Sequence, residues 1–343
     1  MSLLLIEGFE GYGTTPGDRP LPIGVMARRY VMEGESAMDI EAGRIDGYCL
    51  QFNSNNDYVG MSFTNTNDTV IIGFAVKVGE WHKQDIVCLY EGSNLGISVA
   101  LTTSGEAVID MAGTPLETTS GLGLGLDTWH WCELKVVVDN TGSYELKING
   151  DVVLSDASVD TQPGANSYYN LFKLSTLGFT HGGYPYFDDI YICNGAGAAN
   201  NDYLGNSHIY ALYPDGAGNS AEWTPLAGDN YANIDETLVD DDTTYVESNT
   251  SNQVDTYTYD DIATDLLTIH GIQINTDCRE TDVDPYTLKT TVRSGGSDYD
   301  DAGQSLGTTD YVTKRLISET DPNTSNEWID TDLNSAEFGF TVG

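Results

Sequence analysis

The stretch "HWCELKVVVDNTGSYELKINGDVVLSD" (His130–Asp156) decides the fold class. Cys132, Leu134, Val136 and Val138 alternate against Glu133, Lys135 and Val137, so one face is apolar and the other largely polar. That period of two marks a half-buried strand. Asp139-Asn140-Thr141-Gly142 makes a turn, after which Tyr144, Leu146 and Ile148 alternate against Glu145 and Lys147. Asn149-Gly150 follows, and both positions tolerate positive φ, so a tight hairpin is predicted there.

The same punctuation extends upstream. Thr69–Gly79 and Asp85–Gly92 read as strands, and Leu95–Gly113 reads as two strands joined by Thr-Ser-Gly. Gly (37) and Tyr (21) are abundant, Lys plus Arg total only 14, and no long stretch repeats apolar residues at 3.6. These features predict an all-β protein, and strands at this spacing predict a sandwich. The small, polar run Asn194–Asn206 places a boundary, giving domains 1–198 and 199–343. Beyond it, Leu266–Cys278, Tyr286–Gly296, Asp310–Thr320 and Ala336–Val342 read as strands of a second, loop-rich β domain.

Net charge is −39, with 25 acids and 9 bases up to residue 200 and 28 acids and 5 bases after it. Such a field repels phosphate backbones, so no nucleic-acid partner is expected. The first apolar run, Leu3 to Ile6, has no basic flank and stops at Glu7, too short for a signal sequence or a membrane span. No membrane partner is expected, and the chain reads as made in a reducing cytoplasm. The five cysteines, Cys49, Cys88, Cys132, Cys193 and Cys278, are odd in number and form no C-x-x-C, so they signal neither a disulfide framework nor zinc.

Two segments carry resemblances. "DTWHWCELKVVVDNTGSYELKINGDVVLSD" (Asp127–Asp156), followed by "YFDDIYICNG" (Tyr186–Gly195), resembles the later strands of concanavalin A-like (laminin-G-like) jelly rolls. This resemblance implies a jelly-roll sandwich for the first domain and is silent on ligand. Asn200–Ser248 and the closing "SETDPNTSNEWIDTDLNSAEFGF" are similar to segments of structural proteins of tailed bacteriophage virions. That second resemblance implies a non-enzymatic virion component, a capsid decoration or tail part, assembled in the host cytoplasm. Its partners would be other virion proteins, copies of itself and a cell-surface glycan. The alternatives are a glycan-binding adhesin for host attachment and a polysaccharide depolymerase.

Chemistry-bearing motifs are sparse. Asp188 and Asp189 are adjacent in a strand-like run, where successive side chains diverge to opposite faces, so they are not expected to form a glycosidase pair. The jelly-roll hydrolase pattern E-x-D-x-x-E is absent, Asp39-Ile40-Glu41 being the nearest approach. Asp240, Asp241 and Asp242 in a Thr-rich loop, and Asp282 with Asp284, are the candidate metal ligands, with Ca²⁺ the cation such loops suit, although no EF-hand signature accompanies them. His82, His130, His181, His208 and His270 show no ligand spacing, and neither G-x-S-x-G nor a P-loop occurs. No catalytic residue and no cofactor are expected. Trp129 and Trp131 share one strand face by spacing, as core, interface or sugar-stacking residues.

Overall fold

The computed structural model describes residues 1–13, 23–33, 38–55, 57–177, 183–262, 268–281, 286–307 and 309–343. The chain divides into two compact units, Met1–Tyr210 and Ala211–Gly343. The all-β class follows directly from the element order.

Unit 1 opens with β1 (Leu3–Glu7), β2 (Val31–Glu33), β3 (Met38–Ala42), β4 (Tyr48–Phe52) and β5 (Tyr58–Ser62). Next come β6 (Thr69–Lys77), β7 (Gln84–Glu91), β8 (Asn94–Leu101), β9 (Ala107–Met111) and β10 (Thr114–Thr118). The last are β11 (His130–Val137), β12 (Gly142–Ile148), β13 (Asp151–Val159), β14 (Leu171–Leu177) and β15 (Tyr186–Asn194). Among the described residues they form two antiparallel sheets in a jelly-roll-like sandwich. The first runs β13-β12-β11-β6-β15-β4-β3, with β1 added on β15; the second runs β10-β9-β8-β7-β14-β5-β2.

The deciding stretch folds as its pattern dictates. Cys132, Leu134 and Val136 of β11 face Ile148, Leu146 and Tyr144 of β12, all in one core layer. Asn149 and Gly150 take φ of 54° and 92°, the left-handed pair that a tight hairpin needs. The inner faces of the two sheets interdigitate around Phe74, Phe187, Phe172 and Phe52, with Phe52 edge-on to Phe187 at 5.9 Å.

The outer faces differ. Strands β6 and β15 are buried on both sides, because residues 194–210 run back across the first sheet. Leu204 N donates to the Tyr191 hydroxyl (3.0 Å), Gly205 N to Glu133 Oε1 (2.8 Å) and Tyr203 Oη to the Glu145 carbonyl (3.0 Å). The Lys147 ammonium sits 3.6 Å from the Tyr203 ring centre. These bonds explain why the first unit continues beyond residue 198 to Tyr210: the Gly-rich run is a strap on the sandwich rather than a linker. Gly73 on β6 admits the strap's underlayer, since a Cβ there would stand 2.0 Å from the Tyr191 ring.

Unit 2 contains β16 (Pro214–Ala221), β17 (Thr224–Pro225), β18 (Val246–Glu247), β19 (Val254–Tyr259) and β20 (Ile272–Cys278). After these come β21 (Thr287–Ser294), β22 (Ser297–Asp300), β23 (Gln304–Ser305), β24 (Val312–Ser318) and β25 (Glu337–Val342). Its main sheet runs β16-β19-β25-β21-β22, with β23 beside β21. Trp328 packs with Phe338 on one side, and Tyr257 with Phe340 and Trp223 on the other. The fully buried Asp255 is satisfied by Trp223 N, Asn230 Nδ2 and the Tyr257 hydroxyl.

Gly73→Ala would force the Tyr191 ring off β6 and loosen the strap. Overpacking of this kind costs about 1–3 kcal/mol, read as a lower denaturant midpoint at unchanged slope; an unchanged midpoint would refute the packing role.

Candidate functional site

The adjacent acids Asp188 and Asp189 do not diverge as an unbroken strand would require. Tyr186 and Phe187 pair with β4, whereas Ile190 to Cys193 pair with β1. At this change of partner the register against β6 slips, and Asp189 takes a φ of 51°. The resulting bulge turns both carboxylates toward one residue, Arg44, Asp188 onto its backbone amide and Asp189 onto its guanidinium. Arg44 N donates to Asp188 Oδ2 and Arg44 Nε to Asp189 Oδ2, each at 2.7 Å. The expectation of opposite faces is therefore corrected, because it assumed a regular strand.

Every group in this cluster is engaged. Asp189 Oδ1 accepts from Ile209 N at 2.8 Å and lies 2.9 Å from His208 Nδ1, while His208 Nε2 lies 2.7 Å from Asp46 Oδ1. The Arg44 guanidinium also donates to Asn206 Oδ1 and the Ser207 carbonyl and stacks 5.2 Å from the Trp131 ring. With both aspartates 1% exposed, the cluster is a clamp fastening the strap and leaves no opening for a substrate. Burial, then the charge of Asp189, pushes the Asp188 carboxyl well above the usual carboxylate range. Burial and nearby Asp46 raise Glu10 to about 7, against a bond from Tyr48 N. Burial alone would lower His208, but Asp189 and Asp46 raise it.

Among the described residues, the candidate metal ligands are not gathered. Asp240 Oδ1 accepts from Thr244 N and Oγ1 at 3.1 and 2.9 Å, while Asp242 pairs with Arg279 at 2.6 Å and accepts from Tyr311 Oη. Asp241 sits between them at φ 59°. Asp282 and Asp284 lie outside the described residues, as does His181. Among the described residues, no group of three or more His, Cys, Asp or Glu side chains converges on a metal-sized point.

The outer face of the second sheet carries a different constellation. Direct pairing aligns Gly60 (β5), Lys173 (β14), Cys88 (β7), Ser98 (β8) and Asp110 (β9) in one row across the strands. At the usual strand spacing it runs about 19 Å. Gly60, Cys88, Ser98 and Ser175 are buried and small, so they make a low floor. Gly60 is needed beside the lysine stem, since a Cβ there would meet Lys173 Cγ at 3.0 Å.

Above that floor stand Lys173, Tyr58 and Tyr90. The Lys173 ammonium lies 3.8 Å from the Tyr58 ring centre and 4.8 Å from that of Tyr90. Among the described residues it makes no ion pair, in a chain of 53 acids. At the far end, Ser98 Oγ donates to Asp85 Oδ1 at 3.2 Å, and Asp110, 6% exposed, has one oxygen buried without a hydrogen-bond partner. Burial raises Asp85, with Asp110 adding to it, and burial raises Asp110 against the pull of Lys83. Burial also makes Tyr90 hold its proton well above the ordinary phenol range.

No protein-family model matches the chain, and no curated protein matches it. Its architecture is similar to solved structures of carbohydrate-active proteins. One is an endo-β-1,4-glucuronan lyase from the fungus Trichoderma reesei, at 13% identity over 48% of this chain and 90% of that one, with a TM-score of 0.37. Another is the alginate lyase Aly36B, at 12% identity over 55% and 96%, with a TM-score of 0.41. A third is a sialidase of Trypanosoma rangeli, at 10% identity over 48% and 28%, with a TM-score of 0.33. These are enzymes of glycan chemistry rather than particle proteins. The expectations of a non-enzymatic virion component and of a chain without enzymatic activity find no counterpart among these structures.

Sequence reasoning missed the Lys173 site because its residues come from five strands spread over residues 58–175. The available signal was local: Lys173 interrupts the apolar run of "NLFKLST" at a position where β14 faces outward.

The clamp predicts a pH dependence. Asp188, Glu10 and His208 each bind a proton more tightly folded than unfolded, so the stability they contribute is present at low pH and lost as pH rises through the folded values. Thermal midpoints are expected to fall between about pH 5 and about pH 8. Glu10→Gln should flatten that slope up to about 7, where Glu10 itself would have titrated. A slope that is the same in the variant would remove Glu10 from the effect.

Proposed function

We propose that unit 1 is a polysaccharide-processing domain that holds an acidic chain across the outer face of its second sheet. The observation that carries this reading is the Lys173 ammonium, without an ion pair among the described residues, set between two tyrosine rings toward one end of the row. A row of this length accommodates a linear polymer, and a cation without an internal anion is a seat for a sugar carboxylate.

The residue types favour β-elimination over hydrolysis. A glycosidase works through a pair of carboxyls, whereas the groups beside the cation here are two phenols, with Asp110 at the far end of the row. Elimination at a uronate needs a cation on the carboxylate and two proton-transfer groups. Lys173 neutralises the carboxylate, which acidifies the C5 proton. One tyrosine, its own hydroxyl proton first released to solvent, takes that proton on its phenolate oxygen, the C4–O bond breaks, a C4=C5 double bond forms, and the departing oxygen receives the hydroxyl proton of the other tyrosine. Tyr90, which keeps its hydroxyl proton, is assigned the donating role and Tyr58 the accepting one.

Incubation with a panel of soluble polyuronates and neutral glucans tests this, read as ultraviolet absorbance of the new double bond. Lys173→Ala should lower turnover by about 10²-fold or more at unchanged thermal midpoint. Because protein and polymer are both anionic, KM should fall as salt is raised to about 0.1 M, where screening acts over about 10 Å. Absence of any double-bond product from every polyuronate would overturn the elimination chemistry.

A further inference from the structure

We propose that the outer face of the first sheet carries a second carbohydrate site, formed by Trp129, Tyr186, Lys77 and Gln51, that binds one pyranose unit of a polysaccharide. It rests on the reading that unit 1 acts on such polymers, but it lies on the other sheet from the Lys173 row.

These four side chains also line up by pairing. Gln51 of β4 faces Tyr186 of β15, and Tyr186 faces Lys77 of β6. His130 faces Val76, so the register carried back one residue brings Trp129 beside Lys77. The Lys77 ammonium lies 4.0 Å from the Tyr186 ring centre and 5.0 Å from that of Trp129, and the two rings meet edge-to-face at 6.4 Å. All four residues are half-buried, in contrast to Trp131 two positions on, which is covered by Arg44. The constellation of one lysine between two aromatic rings thus occurs on the outer face of each sheet, and Lys77, like Lys173, has no ion-pair partner among the described residues.

The chemistry of the site fixes what it can take. The Trp129 ring offers a π face to the C–H face of a pyranose. Lys77 donates to hydroxyls, and Gln51, whose Nε2 already donates to Tyr186 Oη at 2.8 Å, keeps its amide oxygen as an acceptor. Burial, with Glu41 and Asp127 nearby, raises the Tyr186 hydroxyl. Those two acids offset the lysine, so the unit is recognised by its ring face and hydroxyls and not by a carboxylate.

Affinity electrophoresis through gels containing polygalacturonate or hydroxyethyl cellulose tests the site apart from turnover. The intact protein should be retarded by at least one of the two polymers, and Trp129→Ala should weaken that binding about tenfold, equivalent to about 1.4 kcal/mol. Lys77→Ala should weaken it in the same direction, and both variants should keep the wild-type thermal midpoint. Turnover of short oligosaccharides, which cannot span both faces, should be unchanged in Trp129→Ala. Retardation lost in Trp129→Ala while no polymer is cleaved would leave this site standing and remove the proposed reaction. Equal retardation of wild type and both variants, or no retardation of the wild type by either polymer, would overturn the site.

Discussion

The structure of unit 1 turns on one buried cation. Arg44 is held by Asp188 and Asp189 at the point where β15 exchanges β4 for β1 as its neighbour. A strand that changes partners leaves backbone donors and acceptors without a ladder, and such groups need other partners. The two aspartates accept from the backbone amides of Arg44, Asp189 and Ile209, which gathers the 43–47 turn, the bulge and the strap. Buried carboxylates are tolerated only when a cation and hydrogen bonds compensate them, and Arg44 with His208 supplies that compensation.

From the clamp follows the asymmetry of the sandwich. Once residues 194–210 are fastened over the first sheet, Trp131, Tyr191 and Glu133 are sealed beneath them. What stays accessible is the second sheet's face around Lys173 and the end of the first sheet around Trp129 and Tyr186. In a chain so rich in acids, the cations mostly meet carboxylates or aromatic rings, and the two lysines set between rings make no ion pair among the described residues.

Much of the fold was legible along the chain. The Asn149-Gly150 hairpin and the β11–β12 register follow from alternation and from the tolerance of both turn residues for positive φ. Val254–Tyr259 is also a strand, but its polar composition hid it from a reading that weighted apolar runs. The acids at 188 and 189 were misread because alternation holds only while a strand keeps one partner. The run read as a domain boundary belongs to unit 1 because its residues are held by groups drawn from β11, β12 and β15.

The sequence by itself determined the all-β class, the local hairpins and the acidity, since these depend on neighbouring residues and on totals. Which carboxylates are neutralised, which face is covered and which lysine stands unpaired were decided only by the tertiary structure. Those outcomes depend on meetings between segments more than a hundred residues apart: Arg44 with Asp189, and Tyr58 with Lys173. No local pattern encodes such a meeting. It arises when two sheets close on one core and set the register that brings the side chains together.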